Sequence, residues 1–116
     1  MRQGFSSILA AAAFAPFWNQ PVRAIPHVYA GLVLGINSMD GCLSQAEKIA
    51  RNHGFTESIE VVGSEKMRDF HADHKDNHPP SITVSCSTKL GGAAIAVAGM
   101  NYDDTFAMME KVYDDF

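Results

Sequence analysis

SITVSCSTKLGGAAIAVAG, residues 81–99, holds the pattern on which the fold turns. Ile82, Val84 and Cys86 alternate with Ser81, Thr83, Ser85 and Ser87, so an extended chain sends its apolar side chains to one face and its hydroxyls to the other. Gly91-Gly92 then supports a tight reversal into a second alternating run, where Ile95 and Val97 take turns with Ala94, Ala96 and Ala98. Two neighbouring half-buried strands of this kind predict an antiparallel sheet with one face to be covered.

Candidates for that cover flank the hairpin on both sides. Upstream, Ser38 is a good N-cap, Asp40 sits in the first turn, and Gly54 is a plausible stop. Between them Met39, Cys42, Leu43, Ala46, Ile49, Ala50 and His53 recur at the spacing of one buried helical face. Gly41 inside the first turn is a cost that the sequence does not explain. Downstream, Asn101 caps a last helix with Asp103 and Asp104 at its positive end, and Tyr102, Phe106, Met109, Tyr113 and Phe116 form its expected apolar stripe.

Residues 27–36 read as an interior strand. Val28, Ala30, Leu32, Leu34 and Ile36 are expected on the core side, and Tyr29, Gly31, Val33 and Gly35 on the other. Thr56 to Gly63 is a further strand with Ile59 and Val61 inward. Residues 64–80 fit either a short helix through Met67, Phe70, His71 and His74 or an edge strand, and Pro79-Pro80 ends either one. The expected fold is α+β: a two-layer sandwich with a mostly antiparallel four- or five-stranded sheet and two helices on one face, in the order β-α-β-x-β-β-α. That architecture resembles the open-faced sandwiches of the ferredoxin-like group, a likeness of fold that carries no function.

Residues 1–24 have the form of a secretory signal peptide. Arg2 precedes the apolar run Ile8 to Trp18, and the segment ends in Val22-Arg23-Ala24, a small-residue pattern suited to signal cleavage. The run is broken by Pro16 too early to span a bilayer. The expected mature chain, 25–116, is a single small domain, periplasmic or secreted, with no membrane anchor. Without Arg2 and Arg23 its 7 basic residues face 13 acidic ones, a net charge of −6. An acidic domain with no basic cluster is a poor ligand for nucleic acid. Cys42 and Cys86 are the only cysteines, and both fall on inward phases, so in an exported chain they are expected to form one disulfide.

Chemistry-bearing motifs are few. His71, Asp73, His74 and His78 crowd one polar segment, and on a helix the three imidazoles would share a face, an arrangement able to hold Zn or Cu. The spacing matches no specific zinc pattern, and a solvated loop is the plain alternative. No nucleophile elbow and no phosphate-binding glycine loop occurs, so no enzyme and no resident cofactor is expected. What remains is a surface. The sheet face away from the helices is expected to present Tyr29, Val33, Thr83, Ser85, Ala94, Ala96 and Ala98, flat and uncharged, suited to a partner protein or to a second copy in a homodimer. The expectation is thus a small exported binding or inhibitory domain of unknown partner, with metal binding through the histidine segment as the alternative.

Overall fold

The computed structural model describes residues 26–76 and 80–116. The expectations for residues 1–24 and for His78 lie outside these. Five strands and two helices follow in the order β1 (His27–Leu34), α1 (Met39–Asn52), β2 (Phe55–Gly63), β3 (Met67–His74), β4 (Ser81–Ser87), β5 (Gly92–Gly99) and α2 (Tyr102–Asp115). They build the α+β sandwich that the alternating hairpin implies. The sheet order is β1-β5-β4-β3-β2, and every neighbouring pair is antiparallel. β2 to β5 run as a meander, so β1 and β2, joined by α1, end at opposite edges of the sheet. A split β-α-β unit would set them one strand apart, and here the ferredoxin-like resemblance stops.

Both helices begin as their caps dictate. Ser38 is extended, and its hydroxyl accepts the Gly41 N–H at 3.0 Å. A Cβ on Gly41 would lie 2.8 Å from the Ser38 Oγ, so this glycine makes room for the cap. Asn101 caps α2 in the same way, accepting the Asp104 N–H at 2.9 Å. α1 ends at His53 and Gly54, the latter at φ +89°, a conformation that favours glycine.

Inward-facing Ile82 and Val84 of β4 and Ile95 and Val97 of β5 are fully buried, as their alternation requires. Phe70 and Ala72 lie opposite Val84 and Ile82, so the same apolar layer continues into β3. Cys42, Ala46, Ile49 and Ala50 of α1 and Met109 and Val112 of α2 close it from above. α1 lies over β2, β3 and β4, and α2 lies over β1 and β5. Cys42 and Cys86, both buried, are joined in a disulfide with Cα atoms 6.1 Å apart, which fastens α1 to β4.

Four expectations are corrected. Residues 67–74 form neither helix nor edge but an interior strand between β4 and β2. β1, expected inside the sheet, is an edge strand. Its two faces are also exchanged: Tyr29, Gly31 and Val33 lie under α2, while Val28 (62 % exposed), Leu32 and Leu34 face outward. The cause is steric. The Tyr113 ring of α2 sits so close to β1 that a Cβ on residue 31 would come within 2.8 Å of it, so the inner face needs glycine there. On α2, the buried positions are Thr105, Met109 and Val112, whereas Tyr102, Phe106 and Tyr113 are half exposed. Thr105 meets the interior without an orphan hydroxyl because that group donates to the Asn101 carbonyl.

Candidate functional site

Strand pairing fixes the composition of the face away from the helices, because directly opposed residues point to the same side. One row across it reads Val28, Ala98, Ser81, Asp73 and Glu57. The next reads Ala30, Ala96, Thr83, His71 and Glu60, and a third Leu32, Ala94, Ser85, Asp69 and Val62. The face is therefore graded: aliphatic on β1, alanine on β5, hydroxyl on β4, and acid with one imidazole on β3 and β2, where Val62 alone is aliphatic. Among the described residues neither helix packs on it. Thr83, Ser85, Ala94, Ala96 and Ala98 occupy the expected face. Tyr29 and Val33 do not, for the reason given above, and Val28, Leu32 and Leu34 take their place. Sequence alternation alone could not find these three, because both sides of β1 are apolar and the larger aliphatic set resembles a core.

At the polar end His71 stands between Thr83 and Asp73. Its Nδ1 lies 3.0 Å from the Thr83 Oγ1, and its Nε2 lies 3.4 Å from an Asp73 carboxylate oxygen. This is a hydroxyl–imidazole–carboxylate chain on a flat ladder. Backbone N–H groups of an antiparallel ladder lie in the sheet plane, so none points up beside Thr83 to receive an oxyanion. The chain orders this end of the surface, and strand register places Asp69, Glu57 and Glu60 on the same face.

His74 is on the other side. It is paired with Phe55, and the two rings meet edge to face with centroids 5.3 Å apart. A three-residue step along a strand reverses the side chain, so His71 and His74 are not brought together. Among the described residues no group of three His, Cys, Asp or Glu side chains gathers as a metal site would need. Phe55, one residue before the expected strand start at Thr56, opens β2 and is one of the largest fully buried side chains.

A second surface lies along β1. α2 sets the Tyr102, Phe106 and Tyr113 rings above this strand, where Tyr29 meets Tyr102 and Phe106 edge to face. Burial, the Tyr102 hydroxyl and the charge of Asp103 push the Tyr29 phenol above its ordinary pKa. A cavity of about 40 Å³ beside the disulfide has room for water only, and a wide, open depression of about 580 Å³ lies between α1 and Asp115.

No protein-family model matches the chain, and no curated protein matches it in sequence. The described residues contain no helix long and apolar enough to cross a membrane.

Proposed function

We propose that this protein is a small exported, non-enzymatic binding domain that presents the outer face of its sheet to a partner protein, with an inhibitory role among the forms such binding takes. One observation carries the reading: a five-stranded sheet with both helices on one side, and on the other a graded face of aliphatic, hydroxyl and acidic bands. A solvated sheet face usually mixes charges throughout. Segregation into bands suits a partner with an apolar patch bordered by basic residues, since the acidic band would steer and orient it. The buried Cys42–Cys86 disulfide supports an oxidising compartment, and the leader-like residues 1–24 support the same. The non-enzymatic part rests on the flatness around His71 and Thr83.

Protein recovered from its native host should carry an N-terminus at or near Ile25 by mass spectrometry. Affinity capture there should retain a partner that is lost with Ala96→Glu and with Thr83→Arg but kept with Lys48→Glu on the helix side. A chain beginning at Met1 in the cytosol refutes export. A partner indifferent to both sheet substitutions refutes the face.

A further inference from the structure

The two edges of this sheet are built differently. β2 has two register shifts, a non-glycine residue (Ser58) at φ 53°, and the carboxylates of Glu57 and Glu60. Bulges and charges are the usual devices that keep an edge strand from pairing with another chain. β1 has none of them. It runs His27–Leu34 in unbroken register with β5 and contains no proline and no formally charged residue. The Gly35 N–H bonds to Gly91 on the β5 side, so by ladder alternation Val28, Ala30, Leu32 and Leu34 turn their N–H and C=O groups to the outer edge, which no other strand among the described residues covers. Of these, the Leu32 carbonyl accepts the Tyr113 hydroxyl at 3.3 Å, and its second lone pair remains for a strand.

Apolar surface flanks this edge above and below. Below lie Val28, Leu32 and Leu34, and above lie Tyr102 (59 % exposed), Phe106 (45 %) and Tyr113 (43 %). We propose that β1 pairs antiparallel with β1 of a second copy across a two-fold axis, joining two five-stranded sheets into one of ten strands and stacking the aromatic ridges of the two α2 helices. The symmetry places like on like: aliphatic row beside aliphatic row, ring ridge against ring ridge. With six half-exposed large side chains and the strand backbone, each copy contributes on the order of 600 Å², which reaches the lower bound of a stable interface. Asp103, Glu110 and Asp114 are exposed on α2 next to the ridge, so like charge opposes the pairing. The dimer therefore tightens as salt rises, because screening shortens to about 3 Å at 1 M. The pairing shares the aliphatic band of β1 with the outer-face reading and leaves that reading's residues on β4 and β5 free.

The test is sedimentation of protein from the native host at 0.15 M and 1 M NaCl, with amide hydrogen exchange of β1. The expected result is a dimer, several-fold tighter at high salt, in which the amides of Val28, Ala30, Leu32 and Leu34 are all protected and become labile on dilution. Phe106→Glu should give a folded monomer with the disulfide intact, and Ala96→Glu should leave the dimer in place. Tyr102→Glu, further from the core, serves as the second ridge variant. A wild type that stays monomeric at about 100 μM in 1 M salt overturns the proposal. So does a dimer broken by Ala96→Glu but not by Phe106→Glu, which would place the contact on the outer face. β1 amides protected only after addition of host extract would assign the edge to a foreign strand, and that also overturns it.

Discussion

Removing the disulfide is the perturbation with the largest expected effect. Cys42 and Cys86 are 44 residues apart, and closing a loop of that length lowers the entropy of the unfolded chain by an amount worth about 4 kcal/mol. Both cysteines are at most 1 % exposed, so Cys42→Ala/Cys86→Ala also deletes two buried sulfur atoms, at roughly 1 kcal/mol in sum once neighbours relax. A domain of this size has about 5–14 kcal/mol in total, so the variant should lie near the edge of folding. With a urea slope near 2 kcal/mol per M, the unfolding midpoint should fall by roughly 2.5 M. Wild type with and without a reductant should show most of the same shift, the two sulfur atoms accounting for the remainder. Because the crosslink acts on the unfolded chain, wild type should also show the smaller slope. A midpoint that moves by less than about 0.5 M in both comparisons would refute the loop-entropy account. Two free thiols in freshly isolated protein would remove its premise.

Two further substitutions probe the packing. Gly31→Val should destabilise by about 1–3 kcal/mol in urea, since its Cβ would meet the Tyr113 ring at 2.8 Å and the Met109 methyl at 3.1 Å and lift α2 from β1; an unchanged midpoint would contradict that contact. Asn101→Ala should cost about 1 kcal/mol through loss of the cap on the Asp104 N–H, whereas Asn101→Asp should be near neutral, both read from thermal unfolding.

The sequence made legible whatever depended on strict alternation or on local caps. β4 and β5 show one clear apolar phase each, and Ser38 and Asn101 are caps whose side chains need only their own helix. The cysteine pair was readable because each residue lay on an unambiguous phase. Reading failed where two phases were nearly equal. β1 is apolar on both sides, and the deciding contact, a tyrosine from a helix 81 residues away from Leu32, is invisible locally. On α2 the aromatic spacing outweighed Thr105, whose hydroxyl is satisfied by its own helix and so costs little to bury. In 67–74 the imidazoles at positions 71 and 74 mimic a helical period, while the true inward pair, Phe70 and Ala72, is too short a signal to prevail. The candidate face was accordingly half legible: its alanines and hydroxyls were, its aliphatic and acidic bands were not.

The covalent bond between Cys42 and Cys86 also divides the molecule topologically. It makes a closed ring of chain that contains most of α1, all of β2 and β3, and β4 as far as Cys86. β1, β5 and α2 lie outside that ring, on two open arms. β1 and β5 pair with each other, and α2 packs on both. The arms can therefore separate from β4 together while the ring stays closed, and such contiguous groups are the units in which proteins open locally. A protease probing the oxidised protein would then find its first cuts in the arms, with the ring surviving as a limit fragment.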